Sequence, residues 1–361
     1  MKTLLFTLEF PPFKGGVANY YGNLAKHWPL GEDLSILNNN KRELTRPRKF
    51  LNWWPAIGML RRKIKNGKIN YVLVGQILPL GTVAWFLSFF CPFKYAVFLH
   101  GMDFTYALKT PRKKWLAGEI LKRADKVIGA NSYVVKTARE IFPGVREKIA
   151  VINPGIAGDT PPISPVDLAI LENNYGLAGK TVFLSLGRLV KRKGTDQTIA
   201  ALAQIPKALL TDLVYFIAGG GPEETYLRRL VPPPLEKKII FLGELSEDEK
   251  WLWLARTEVL IMPSRNIEGD FEGFGIVYLE ANISGKPVIA GDSGGVRDAV
   301  IDGHNGILVD PEDVNSVKEA IIKLASDAAL RKKLGAQGRD RARREFSWEK
   351  QTAKLVNFIK N

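Results

Sequence analysis

The chain has 361 residues, more than one ordinary core accommodates, so two domains are expected. With 46% hydrophobic and 25% charged residues it is globular in composition, which excludes a disordered or collagen-like chain, and its single cysteine, Cys91, excludes an internal disulfide and fits a reducing compartment. The formal charge of +15 sits wholly in the first part: residues 1–160 hold 25 Lys and Arg against 10 Asp and Glu, the remainder 27 of each. Such an excess attracts anionic partners: lipid headgroups, nucleic acid or a phosphorylated substrate.

The opening MKTLLFTLEFPP has one lysine and a short apolar run that Glu9 and two prolines stop. It reads as a buried first strand, too short in its apolar part for a signal peptide. FPPFKGGVANY follows, where Gly15-Gly16 opens a helix whose free N–H groups suit a phosphate. Basic clusters come next: Lys41-Arg42, Arg46 to Lys49, and Arg61-Arg62-Lys63 with Lys65 and Lys68. The stretch WWPAIGMLRRKIKNGK, Trp53 to Lys68, mixes Trp and aliphatic residues with cations, a composition suited to an anionic membrane surface. The apolar run from Leu78 to Phe90 falls short of the roughly 20 residues a membrane span needs and predicts a buried helix after a turn at Pro79 to Gly81. YAVFLHGMD places His100 at the carboxyl end of a strand, where ligands of parallel sheets bind. Another basic cluster, Arg112-Lys113-Lys114, follows.

Strand-length runs (KTLLFTL, INYVLVG, YAVFLHG, KVIGANS, KIAVINPG) alternate with segments of helical spacing. A second series (TVFLSLG, LVYFIAGGG, KKIIFLG, TEVLIMPS, KPVIAGD, NGILVD) repeats the pattern. Alternation of this kind predicts parallel sheets covered by helices. Between the two series, Pro161, Pro162 and Pro165 mark a linker. Ser246 with Glu249 predicts a capping box, and Asp310-Pro311 a helix cap and first helical residue.

Four stretches of the second half carry chemistry. GRLVKRKG sets Arg188 at a strand end and Lys193 on a tight loop closed by Gly194, two cations suited to a diphosphate and to the charge that grows as a phosphate leaves. AGGGPEE is a glycine turn from strand to helix that includes Gly220, and FLGELSEDEK sets Leu245, Glu247 and Lys250 just past another strand. These residues suit the flank of a nucleobase, and a carboxylate pairs better with the adjacent N–H donors of guanine than with uracil. FEGFGIVYLE places Glu272 and Glu280 around a Gly273-Phe274-Gly275 turn, with Ile276 opening a helix. There a charge in an apolar run needs a partner, and a ribose diol is one candidate. A core ion pair is the other. No HExxH motif, Cys/His cluster or Asp-x-Asp motif occurs, so no metal and no cofactor are expected.

Taken together, GRLVKRKG, AGGGPEE, FLGELSEDE, MPSRNIEGDFEGFGIVYLEANISGKPVIAGDSGG and DGHNGILVDPED resemble family 4 retaining glycosyltransferases, the glycosyl transferases group 1, in order and over nearly the whole chain. FPPFKGGVANY, LPLGTVAWF, HGMDF and NPGI carry the likeness in the first half, and FSWEKQTAKLVNFIK resembles the family's last helix. The resemblance implies an α/β chain of GT-B fold, two Rossmann-like domains with parallel sheets facing a central cleft. Residues 1–160 would form the acceptor domain, with a last helix from about 347 to 361 packing back onto it, and residues 161–346 the nucleotide-sugar domain.

By the same resemblance, Arg188 and Lys193 would hold the donor diphosphate with the amides of Gly15 and Gly16. Glu280 would take the ribose hydroxyls. Glu272 and the amides from Gly273 through Phe274 to Gly275 and Ile276 would hold the transferred sugar. Gly220, Leu245 and Glu247 would line the nucleobase, and His100 would lie by the reacting carbon. The implied chemistry is front-face transfer with retention and without a metal: a donor phosphate oxygen takes the acceptor proton, and no protein carboxylate serves as nucleophile. Two departures bear on acceptor binding: Val17-Ala18-Asn19 lacks the family's acidic residue, and Asp298 stands where a Glu is usual. Glu247 and Lys250 favour GDP-mannose over a UDP-sugar. The basic first domain suggests a lipid-linked or saccharide acceptor and a cytoplasmic enzyme at the inner face of a membrane, with no nucleic-acid partner. The competing readings are a nucleotide-sugar epimerase of the same fold and a basic nucleic-acid-binding protein.

Overall fold

The computed structural model describes residues 1–13, 15–45 and 53–361. The cluster Arg46 to Lys49 lies outside the described residues. The chain divides into two units, Met1–Gly155 with Trp348–Asn361, and Ile156–Ser347.

The first unit is a six-stranded parallel sheet: β1 (Lys2–Phe6), β2 (Asp33–Leu37), β3 (Tyr71–Val74), β4 (Lys94–Leu99), β5 (Lys126–Gly129) and β6 (Ile149–Val151), in the order β2-β1-β3-β4-β5-β6. Its inner strands are continuous apolar runs such as YVLV, all four residues buried, because helices cover both faces. The strand order reverses beside β1, so the loops after β1, β3 and β4 gather at the switch point where such sheets bind ligands. The last helix, Trp348–Lys360, belongs to this unit and sends Trp348, Leu355 and Ile359 into the core beside Leu5, Tyr20 and Leu24.

The second unit is also a six-stranded parallel sheet: β7 (Thr181–Leu186), β8 (Leu213–Ala218), β9 (Ile239–Gly243), β10 (Val259–Met262), β11 (Val288–Gly291) and β12 (Gly306–Val309), ordered β12-β11-β10-β7-β8-β9. This is the order of a dinucleotide-binding fold, with its switch point between β7 and β10. One apolar cluster lies around Leu184, Phe216, Tyr278 and Leu279, another around Phe183, Tyr215, Ile217 and Ile321, as alternate strand residues face opposite sides.

The proline-rich segment lies in the second unit, where Pro165 opens helix Pro165–Tyr175 behind an Ser164 cap. The predicted capping box forms: Ser246 Oγ accepts the Glu249 N–H at 3.2 Å, and Glu249 Oε2 accepts the Ser246 N–H at 2.8 Å. The cap expected at Asp310 is displaced to Asp313, whose side chain accepts the Asn315 N–H. Asp310 instead accepts the Glu312 N–H and makes Pro311 part of a turn before the helix. The helix read in the run from Leu78 spans Leu80–Leu87, and the aromatic end beyond it is not buried: Phe89 and Phe90 are exposed.

Candidate active site

In the first unit, helix Gly16–Lys26 starts behind Gly15 at the end of the loop after β1. A Cβ on Gly16 would meet nothing within 4 Å, so the space beside that amide is open, whereas one on Gly15 would lie 3.6 Å from Glu9 Oε2. His100 follows β4 and is set in an aromatic frame. Tyr20 and Tyr21 stand edge-on at 5.2 and 5.3 Å, and Phe98 stacks at 5.9 Å. The Tyr21 hydroxyl lies 2.7 Å from the Gly75 carbonyl and 2.6 Å from His100 Nε2. A carbonyl only accepts, so the single phenolic proton goes to Gly75, and His100 Nε2–H donates to the tyrosine oxygen. The tautomer is thereby fixed, and Nδ1 carries the lone pair. Burial pushes the imidazole down to about 4, so His100 is neutral near pH 7. Asp103 Oδ1 accepts the His100 and Gly101 N–H groups at 2.9 and 3.1 Å and holds the turn. Burial pushes its carboxyl up to about 6 against these backbone donors. His100 and Asp103 are thus both driven towards their uncharged forms.

In the second unit, β7 ends at Gly187-Arg188 and a single 3₁₀ turn, Lys191–Lys193, follows. Gly194 closes it with φ +72°, and a Cβ there would stand 2.1 Å from the Pro263 carbonyl. Only glycine permits that approach, which presses the cationic turn against the end of β10. Lys193 Nζ reaches Glu272 Oε2 at 2.6 Å, and Arg192 Nη1 reaches the same oxygen at 2.8 Å. Burial alone would raise the Glu272 carboxyl; Lys193 and Arg192 outweigh it and hold it below the usual carboxylate value. Arg188 is exposed and is not ion-paired among the described residues.

Helix Ile276–Ile283 starts at Gly275, whose φ of +76° only glycine adopts readily, and carries Glu280 one turn in. Glu280 faces Lys250, Nζ to Oε1 2.8 Å, and Lys250 also binds Glu247, which takes the Trp251 indole N–H at 3.2 Å. The ion-pair alternative therefore describes Glu280 in the structure: Lys250 satisfies it. Burial pushes the Glu280 carboxyl up, with Lys250 opposing and Glu247 assisting. Gly187, Arg188, Gly219, Gly220, Leu245, Glu247 and Lys250 line a cavity of about 230 Å³.

The structure thus gathers Arg188, Gly220, Leu245, Glu247 and, through Lys250, Glu280 around one cavity. Lys193 and Glu272 adjoin Arg188 across the same turn: a Cβ on Gly187 would lie 3.8 Å from Lys193 Nζ. Gly15, Gly16 and His100 belong to the first unit. Gly273 and Gly275 flank Phe274, whose ring is buried and packs 5.7 Å from Phe346, so this residue anchors the loop in the core and offers only its backbone. Ile276 is exposed at the helix start. Sequence reading missed Arg192 and Tyr21. Arg192 carries a visible signal, a third cation in KRK; Tyr21 carries none. Among the described residues no group of three or more His, Cys, Asp or Glu side chains is placed to hold a metal ion.

Residues 171–341 match the family model described as glycosyl transferases group 1. Along the full chain, a GDP-mannose-dependent monoacylated alpha-(1-6)-phosphatidylinositol monomannoside mannosyltransferase of Corynebacterium glutamicum is 29% identical, covering 100% of this chain and 98% of the relative. A GDP-mannose-dependent alpha-(1-6)-phosphatidylinositol monomannoside mannosyltransferase of Mycobacterium tuberculosis is 28% identical over 99% of this chain and 98% of its own. Among solved structures, Anabaena HepE in complex with UDP superposes with a TM-score of 0.78 at 22% identity, covering 100% of both chains. A glycosyltransferase from Rickettsia africae gives 0.80 at 19% identity, over 99% and 98%. These likenesses establish the GT-B fold.

Proposed function

We propose that the chain, whose residues 171–341 match the group 1 glycosyl transferases, transfers a glycosyl group from a nucleotide sugar, moving mannose from GDP-mannose to a lipid-linked or saccharide acceptor, with retention and without a metal. The observation that carries the donor assignment is the cavity at the carboxyl ends of β7, β8 and β9 in the second unit. Arg188 lies on its wall and Lys193 and Glu272 beside it, with Glu247 and Lys250 at the other end, held to Glu280. In this reading the cations take the diphosphate, Glu280 the ribose diol and Glu247 the paired N–H donors of guanine. The Corynebacterium glutamicum and Mycobacterium tuberculosis relatives, matched over 98% of their length, are named GDP-mannose-dependent, which supports guanine over uracil. In this reading the protein supplies position and positive charge to the departing diphosphate, and the donor's own phosphate oxygen takes the acceptor proton.

A thermal-shift screen of GDP-, UDP- and ADP-sugars tests the donor, since a specific ligand raises the melting temperature by mass action. Stabilisation by GDP-mannose alone is expected; a shift with UDP-sugars only rejects the guanine assignment. Activity surviving EDTA and an α-linked product in the NMR spectrum are the expected signs of metal-free retention. Loss of activity in EDTA, or a β-linkage, contradicts it.

The lipid-linked acceptor draws support from the first unit's surface and from the phosphatidylinositol monomannoside named for the relatives. Helix Trp54–Gly67 turns Ala56, Leu60 and Ile64 inward, which leaves Arg61, Arg62, Lys63 and Trp54 outside as a cationic rather than a greasy face. Helices Met102–Leu108 and Pro111–Arg123 expose Met102, Tyr106 and Trp115 among Lys109, Arg112 and Lys114. Apolar side chains rimmed by cations fit an anionic lipid surface. No helix of the described residues is long and apolar enough to cross a membrane. Co-sedimentation with anionic vesicles should fall when Arg61 to Lys63 are reversed in charge, and wild-type protein that ignores such vesicles removes the lipid-surface proposal.

A further inference from the structure

Two cations compete for one oxygen at the heart of the second unit, and they are not held alike. Arg192 is held by two carboxylates of the loop after β10: its Nε meets Asp270 Oδ1 at 3.0 Å and its Nη1 meets Glu272 Oε2 at 2.8 Å. Its carbonyl accepts the Arg265 N–H at 2.8 Å, and Arg265 in turn pairs with Asp196 at 2.7 Å. Lys193 has one ionic partner among the described residues, Glu272, at the end of a flexible stem. An arriving diphosphate, richer in negative charge than one carboxylate, therefore draws Lys193 and leaves Arg192 in place.

Glu272 is buried, and a buried carboxylate left without a partner either destabilises the site strongly or takes up a proton. We propose that Arg192 is a positioning residue that keeps Glu272 ionised and in place while Lys193 passes from Glu272 to the donor diphosphate. This rests on the reading that the diphosphate binds at Lys193. The groups that face Glu272 are Lys193 and Arg192 from the 3₁₀ turn, Asp270 from its own loop through Arg192, and Tyr278 from helix Ile276–Ile283. Tyr278 donates to the Met262 carbonyl at 2.7 Å, and burial together with the Glu272 charge keeps its phenol protonated. Arg192 alone is then left to carry the counter-charge once Lys193 has moved.

With Arg192 present, diphosphate binding moves no proton onto Glu272. Without it, binding becomes coupled to protonation of Glu272. The test is calorimetric titration with GDP, and with UDP as second probe, near neutral pH in buffers of different ionisation enthalpy. Wild type should bind without net uptake. Arg192→Gln should bind about 10- to 100-fold more weakly, take up as much as one proton, and recover affinity as pH falls. The double variant Arg192→Gln with Glu272→Gln should regain affinity to within about threefold of wild type, because no buried charge is deserted. Equal affinity and no proton uptake in Arg192→Gln overturns the inference, as does failure of Glu272→Gln to restore binding. Should Arg192→Gln not fold, Arg192→Lys keeps the charge but is too short to bridge Asp270 and Glu272; fractional proton uptake is expected, and none overturns the inference. A wild type that binds neither nucleotide rejects the donor reading itself, a result distinct from one in which wild type and variant bind alike.

Discussion

The two units share a layered parallel sheet and differ in where their charge goes. The first, with 28 Lys and Arg against 10 Asp and Glu, carries more than the chain's net excess, yet its cations stand on the surface, as Arg61, Arg62, Lys63 and Arg112 do, while His100, framed by aromatic rings, is neutral. The second is slightly acidic, with 24 Lys and Arg against 27 Asp and Glu, yet it draws charge inward: Arg192 and Lys193 on Glu272, Lys250 between Glu247 and Glu280, Arg265 on Asp196. Net charge thus reports how a surface meets its surroundings and says little about where ionic chemistry is concentrated. A buried ion pair contributes little net stability, because desolvation offsets the attraction, but removing one partner is severe. The second unit's site is consequently the more sensitive to single substitutions.

The largest effect that would sharpen this contrast is expected at Lys193. Lys193→Ala should lower the transfer rate about 10²- to 10³-fold, the scale for losing one charge-stabilising group at a transition state. Arg192 remains on Glu272, so the fold should survive with a lower melting temperature. A variant with near-normal kcat would place the diphosphate elsewhere.

In the first unit, the expected signature is a dependence of stability on pH with two opposed limbs. His100 has a folded value of about 4, below its unfolded value, so its contribution is full above about pH 6.5 and is lost as pH falls towards 4. Asp103 has a folded value of about 6, raised from 3.8, so its contribution is full below about pH 4 and is lost as pH rises through 6. Each limb amounts to about 3 kcal/mol. Melting curves of His100→Asn should lose the acid limb and those of Asp103→Asn the upper one; unchanged limbs would show that these side chains are better hydrated than their burial implies.

A smaller effect belongs to Glu280→Ala. It removes the acceptor for the ribose and frees Lys250 to Glu247, and nucleotide affinity should fall about tenfold, with loss of most of the thermal shift. A full shift with GDP-mannose in that variant would refute the ribose role. If the shift persists only with the nucleotide and not with the sugar donor, the residue serves the sugar end instead.

Alternating apolar runs sufficed to forecast both sheets, because burial on two faces demands continuous hydrophobic strands whatever the neighbours. The glycine turns at Gly194 and Gly275 were also legible, since a positive φ beside a strand end has few other solutions. The partners of the charged groups were not. Arg192 and Glu272 are 80 positions apart, Tyr21 and His100 79, Lys250 and Glu280 30. Nothing local distinguishes such a pair from two solvated side chains. Asp310 reads as the cap because Pro after Asp is a common helix start, whereas the helix begins three residues later behind Asp313.

The order of residue types along this protein therefore set its strands, its turns and the chemical kinds of group at each strand end. Which carboxylate meets which cation, which tautomer His100 holds and which cation is free to move were decided only when the sheets aligned those ends. The reason is range: hydrophobic burial and backbone sterics act within a few residues of sequence, whereas an ion pair or a hydrogen bond forms only between groups that tertiary packing has brought within about 3 Å.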